Sequence, residues 1–401
     1  MVLAKVYIQR RQKLTQILNN ELVVLTAFSA MQQTNDSAGP FVQESSFFWL
    51  TGITDPSWKL VVSEEKSWLV SPTKSEIHRI FDGGMSADDA KTVSGVDEVI
   101  YEDDLKALLK DLGNEYSIVR TILRHPYSSD YDFVLNPALQ KLHSQLQRFF
   151  PQVIDCRKEL SKLKAIKSSE EIELMQRAID ISIDGFNKVH ESLATLKHEY
   201  EVEATLTYAF RSAGSEGHAY EPIAGTGKNA CTLHYIANND PLPTNGMVLI
   251  DAGARVGGYA ADITRTYAIG NPSQREKDVH AEVERAHAAI ISLIQPKTSV
   301  KEYSEKVDEI MKKALENLSL LKAPDDYRRY FPHAISHGLG IDVHDSLGSY
   351  ETFQPGMVLT VEPGIYIPEE GIGVRIEDDI LVTTDGNRNL SAALPTSLWY
   401  T

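Results

Sequence analysis

Cysteine is almost absent from this 401-residue chain. Cys156 and Cys231 are the only two, too few for a disulfide framework and suited to a reducing cytoplasm. No apolar run approaches the roughly 18 residues that a membrane-spanning helix needs, so no membrane partner is expected. The N-terminus turns polar at Gln9-Arg-Arg-Gln-Lys13 with no hydrophobic signal core before it. Basic residues are outnumbered 40 to 56, and a net charge of −16 argues against nucleic acid or an anionic membrane as a partner, since both demand a basic patch. Familiar nucleophile and phosphate motifs are missing too. There is no Gly-x-Ser-x-Gly elbow, and Gly225-Thr-Gly-Lys228 fails as a phosphate loop because Pro222 and Asn229 stand where glycine and Ser/Thr are required. The remaining composition, 42% apolar and 24% charged, is that of an ordinary globular protein with carboxylates to spare for cations.

The length suits two domains. Over the first ~155 residues, strand-like runs at Leu22–Phe28, Ser67–Val70 and Ser117–Leu123 alternate with helical patterns at Val2–Leu18, Asp103–Leu112 and Pro137–Leu146. That alternation predicts an α/β layer. A boundary is expected near residue 158, giving domains 1–158 and 159–401. The second domain opens with helices at 168–190 and 199–213, and two more are predicted at 273–294 and 299–317. Capping boxes introduce three of them, at Ser168…Glu171, Ser273…Glu276 and Ser299…Glu302. One phrase is then echoed: Gly246-Met-Val-Leu runs into Asp251-Ala-Gly253, and Gly356-Met-Val-Leu, 110 residues later, into Glu362-Pro-Gly364. Each copy follows a helix pair, as a duplicated helix–helix–sheet unit would produce.

The segment Val248–Thr266 reads as a β-hairpin around a Val256-Gly257-Gly258 turn signal. With Val256 and Gly257 central, Asp251 would face Asp262, their Cβ atoms roughly 4.5–5.5 Å apart. Two carboxylates so placed among apolar neighbours repel, and a divalent cation between them relieves both. The second copy offers the same chemistry through Glu362 and, 15 residues on, Glu377, while His337 lies between the two pairs and can supply a nitrogen. Four carboxylates and one imidazole suit a pair of hard-to-borderline ions, best Mn²⁺, with Co²⁺ or Zn²⁺ as competitors. Two such ions about 3.5–4 Å apart can activate a shared hydroxide.

Asp251, Asp262, His337, Glu362 and Glu377, with the words Asp-Ala-Gly, Asp-Ile-Thr-Arg-Thr, Ser-His-Gly-Leu-Gly, Asp-Val-His-Asp, Val-Glu-Pro-Gly-Ile-Tyr and Arg-Ile-Glu-Asp-Asp around them, resemble the "pita-bread" metallopeptidases of the Xaa-Pro aminopeptidase and prolidase type. Gly39-Pro-Phe-Val-Gln43 and Phe47-Phe-Trp-Leu-Thr-Gly52 resemble their creatinase-like N-terminal domain. The resemblance implies an α/β N-terminal domain followed by an α+β pita-bread domain with a pseudo-twofold repeat. It also implies hydrolysis of the N-terminal Xaa-Pro bond of short proline-containing peptides by a homodimer or homotetramer. By the same resemblance the five residues hold two metal ions, and Glu362 is the general base. His234 and His344 assist at the oxyanion or position substrate. Arg375 and Thr264 orient ligands, His333 and Tyr366 lie near the proline ring, and Asp36 is the acid that holds the substrate's amino group. The chain departs from the family pattern at Val42 and Ser46, where Arg and Asp are expected. An Xaa-Pro dipeptidase is the nearest alternative, separable by tripeptide turnover. A creatinase-like amidinohydrolase would act on creatine instead, and a non-catalytic binding module predicts lost ligands.

Overall fold

Short β runs alternating with capped helices fold into two units, Met1–Leu163 and Lys164–Thr401, in a computed structural model that describes residues 4–124, 133–323 and 325–398. The first expected helix spans Ala4–Ile17, its Val2 start lying outside the described residues. In the N-terminal unit, strands β1 (Leu22–Thr26), β2 (Lys59–Val62), β3 (Ser67–Ser71), β4 (Glu98–Tyr101), β5 (Ile118–Thr121) and β6 (Gln152–Asp155) form one mixed sheet in the order β4-β3-β2-β1-β5-β6. All five residues of β1 are buried, as an apolar run in a central strand requires. Helix Glu102–Glu115 lays Leu105, Leu109 and Leu112 on Leu22, Val24 and Val119 of this sheet, so its i, i+4, i+7 spacing serves one core face. Its first turn carries Glu102, Asp103 and Asp104, favourable at a helix N-terminus. The basic stretch after Cys156 is itself a helix, Arg157–Lys164, at the division between the units.

The C-terminal unit begins with helices α1 (Ser169–Ser192) and α2 (Glu199–Ser212), and a second pair, α3 (Gln274–Leu293) and α4 (Val300–Asn317), follows the first hairpin. Reciprocal capping boxes at Ser168/Glu171 and Ser273/Glu276 open α1 and α3, whereas Ser299 caps α4 through its own side chain. Val279, Val283, Ala286 and Ile290 of α3 and Val307, Met311 and Leu315 of α4 pack over Leu359, Val361, Ile365, Val374 and Ile380.

Two hairpins carry the carboxylates. In the first, β7 (Gly246–Ala252) pairs with β10 (Ile263–Ile269), and β8 (Ala254–Val256) with β9 (Tyr259–Ala260). In the second, β11 (Val358–Val361) pairs with β14 (Asp378–Val382), and β12 (Gly364–Ile367) with β13 (Ile372–Arg375). Each ladder is interrupted midway, at Gly253 and at Glu362-Pro363. A Cβ on Gly253 would lie 1.7 Å from the Ala261 carbonyl oxygen, so only glycine admits the crossing chain there.

The register of the first hairpin corrects the sequence expectation. Gly257 and Gly258, with φ of 57° and 81°, form the turn, because both central residues need positive φ and β-branched Val256 cannot supply it. Asp251 therefore faces Thr264, not Asp262. The slip amounts to two residues along the partner strand. An even shift preserves the face, so Asp251 and Asp262 still project to one side as diagonal neighbours.

Candidate metal centre

The interrupted ladders bring carboxylates from both hairpins together. Asp262, His337 and Glu377 each present a ligand atom, and the three atoms lie within 4.8 Å of one another. His337 Nδ1 sits 2.9 Å from the Gly338 carbonyl and donates to it, which leaves Nε2 with a free lone pair 3.5 Å from Asp262 Oδ2 and 3.6 Å from Glu362 Oε1. Burial pushes the imidazole down to about 4, so it is neutral at physiological pH, as a ligand must be. Asp251 joins through a shared donor: Tyr220 OH lies 2.5 Å from Oδ1 of both Asp251 and Asp262.

Among the described residues no cation neutralises this set fully. Burial first, and then neighbouring carboxylates, raise Asp262, Glu362 and Glu377 well above the usual carboxylate range. Among the described residues, Arg375 is the one guanidinium whose side chain bonds a carboxylate of this set. Burial alone would depress it, but Tyr366, Asp251 and Glu377 outweigh that and hold it charged. Its Nη2 meets Asp251 Oδ2 at 2.5 Å, its Nε donates to Thr264 Oγ1 at 3.1 Å, and its Nη1 to Tyr366 OH at 2.8 Å. Thr264 passes the connection on, donating to Glu377 Oε2 at 2.7 Å while its carbonyl accepts Glu377 N–H at 3.0 Å. Hard oxygen donors that repel one another, with one neutral imidazole fixed in tautomer, fit a divalent cation.

Glu362 lies between two histidines, its Oε1 at 3.6 Å from His337 Nε2 and its Oε2 at 3.6 Å from His333 Nδ1. His333 Nδ1 donates to the Ala334 carbonyl (2.7 Å), so its Nε2 accepts from Tyr366 OH (2.9 Å). The two rings pack edge to face at 5.5 Å. His344 is exposed with its ring 4.4 Å from that of His337. Partial desolvation, and after it the neighbouring His234, lowers His344 although its outer side stays open to solvent. His234 is itself exposed on the loop after strand Ile223–Thr226. A single 3₁₀ turn (Asn229–Cys231) leads into it. The Cys231 thiol, pushed up to about 11 by burial, donates to the Ile372 carbonyl. Asp36 occupies the exposed turn between Gln32–Thr34 and Ser37–Ala38 in the N-terminal unit.

Three groups escaped the sequence reading. Tyr220 precedes Pro222 with no spacing signal to mark it. Arg265 and Asp379 lie inside the quoted words but had no assigned part. Arg265 is buried, and its guanidinium donates to the carbonyls of Thr264 and Glu377 and to Asp378 Oδ1 (2.6 Å), fastening the backbone that carries Glu377. Asp379 Oδ2 accepts the Asp262 N–H at 3.1 Å.

The sequence model of metallopeptidase family M24 matches residues 173–384, and that of the aminopeptidase P N-terminal domain matches 7–120. The chain is 32% identical to Xaa-Pro aminopeptidases of Haemophilus influenzae and Escherichia coli, in each case over 96% of this chain and 94% of the relative. Its fold superposes on aminopeptidase P of Escherichia coli with the inhibitor Pro-Leu (TM-score 0.86, 29% identity) and covers 99% of this chain and 96% of that one. It also superposes on proline aminopeptidase P II of Yersinia pestis (TM-score 0.84, 31% identity), covering 99% and 98%. With the creatinase-like domain ahead of a pita-bread unit whose carboxylates and imidazole converge as above, the chain belongs to metallopeptidase family M24, among its Xaa-Pro aminopeptidases.

Proposed function

We propose that this protein removes the first residue of short peptides whose second residue is proline, with two divalent ions, Mn²⁺ by preference over Co²⁺ or Zn²⁺, held by Asp251, Asp262, His337, Glu362 and Glu377. The observation that carries the reading is the convergence of buried, mutually repelling carboxylates from two hairpins around one neutral imidazole. Bound ions supply Lewis acidity and a nucleophilic hydroxide near neutral pH.

The protein's own residues do the rest. Glu362 takes a proton from the attacking water, its carboxylate lying between two imidazoles with Oε1 3.6 Å from His337 Nε2 and Oε2 3.6 Å from His333 Nδ1. His234 and His344, on the open edge, donate to the oxygen that gains charge as the carbonyl becomes tetrahedral, or position the peptide beside it. Arg375 and Thr264 hold Asp251 and Glu377 in orientation. An Xaa-Pro bond has no N–H to read, so recognition falls to shape, and His333, backed edge-on by the buried Tyr366, offers a face for the pyrrolidine. In an assembly of two or four copies, Asp36 holds the substrate's free amine. Two free thiols and the acidic surface favour a cytoplasmic setting, and among the described residues no helix is long and apolar enough to cross a membrane.

The test is turnover of an Xaa-Pro-Yaa tripeptide against the matching Xaa-Pro dipeptide, with metal content measured on the same protein. Preference for the tripeptide is expected. Exclusive dipeptide cleavage makes it a dipeptidase, and cleavage of neither overturns the reading.

A further inference from the structure

Glu199 is a carboxylate at the first turn of α2 that no solvent reaches and that, among the described residues, no cation approaches closely enough to pair. Its charge is spread over five hydrogen bonds. Oε1 accepts from Thr226 N (2.9 Å), Thr226 Oγ1 (2.9 Å) and Asn229 Nδ2 (3.3 Å), while Oε2 accepts from Tyr235 OH (2.8 Å) and Asp240 N (3.0 Å). Its backbone N–H adds a sixth tie, to the Asp240 carbonyl at 3.0 Å. All these partners belong to one loop, from the end of strand Ile223–Thr226 to Asp240, and they bracket His234 on both sides. Asn229 Nδ2 binds the loop to itself through Asp240 Oδ2 (2.8 Å) and Tyr235 OH (3.0 Å). On the loop's inner side Ala230 packs in a small cluster with Ile223, Leu249 and Tyr366, and the same Tyr366 hydroxyl meets Arg375 and His333. The exposed imidazole of His234 thus owes its place to a loop whose two ends are clasped by one buried carboxylate.

We infer that Glu199 is a positioning residue for catalysis, acting through His234 by holding the 226–240 loop at both ends. The inference rests on the part proposed for His234 above. A neutral but isosteric side chain is the discriminating change. In Glu199→Gln one oxygen becomes an NH₂ that must face the Asp240 or the Thr226 N–H, so at least one of the five bonds fails, the hydroxyls must turn to accept, and the others lose their charge assistance. The ligands of the metal centre are left intact.

The experiment is a double-mutant cycle on metal-loaded protein, using kcat and KM for an Xaa-Pro-Yaa tripeptide together with metal content. Expected are a fall in kcat/KM of about 100-fold for His234→Ala, and a smaller, about tenfold, fall for Glu199→Gln with metal content unchanged. In the His234→Ala background the effect of Glu199→Gln should shrink below twofold. Tyr235→Phe, which removes a single donor, gives a milder version of the same pattern should Glu199→Gln fail to fold. Losses that multiply in the double variant, or a Tyr235→Phe loss undiminished without His234, overturn the inference while leaving the proposed function standing. Full activity in His234→Ala overturns the part given to His234, and the inference with it.

Discussion

At the scale of single residues, Arg375, Thr264 and Glu377 form one buried hydrogen-bonded chain rather than isolated pairs. Thr264 shows the consequence. Its hydroxyl donates to Glu377 and accepts from Arg375, so Thr264→Val, nearly equal in volume, leaves two buried polar groups without a partner. A loss of about 1–3 kcal/mol in unfolding free energy is expected by denaturant titration, with metal affinity about 10–100-fold weaker. Glu362→Gln should fold as the wild type and lose about 10²–10⁴ in kcat, since it removes the proton acceptor. Robust turnover by that variant would sink the assignment. That Asp262, His337 and Glu377 come together was legible in the sequence, because side chains able to share one cation must be carboxylates or imidazoles. Tyr220 was not, since a tyrosine among short polar loops carries no periodicity and its value appears only when Asp251 and Asp262 both reach its hydroxyl.

At the scale of elements, helices were read well and the hairpin was misread by two positions. Capping boxes and apolar stripes are local, so Ser168/Glu171 and Ser273/Glu276 announced α1 and α3 without knowledge of the fold. Register depends on which residues can take positive φ, and Gly257-Gly258 outcompete Val256-Gly257 by backbone sterics. Strands as brief as Lys59–Val62 and Gln152–Asp155 went unread because four residues give little pattern and their strand neighbours lie far along the chain. The interruption at Gly253 brings its own prediction. In Gly253→Ala the new methyl must displace the Ala261 carbonyl, open the hairpin where the two aspartates diverge, and move Asp262 away from His337. Loss of stoichiometric metal binding by calorimetry, together with a lowered melting temperature, is the expected result.

At the scale of the whole molecule, the two-unit organisation was visible from length and from the change of pattern after Cys156, although the division falls within a helix that composition had left as a basic stretch. Titration behaviour is a property of the fold that sequence could not disclose. Burial depresses His280 and His287 on α3 from 6.5 to about 4. The unfolded chain therefore binds protons between pH 6.5 and 4 that the folded chain refuses. Stability is unaffected by these groups above pH 6.5 and falls as the pH drops to 4, by up to about 3 kcal/mol for each histidine. Denaturant midpoints from pH 7.5 to 4.5 should show this loss, and a His280→Gln/His287→Gln variant should show less of it.

The direct test of the metal centre is to strip the protein with a chelator and titrate Mn²⁺ back by calorimetry while following tripeptide cleavage in parallel samples. The account predicts no cleavage without metal, uptake of two equivalents, and recovery in step with uptake that Asp262→Asn abolishes. Undiminished cleavage by the stripped protein, or uptake indifferent to Asp262→Asn, would contradict it.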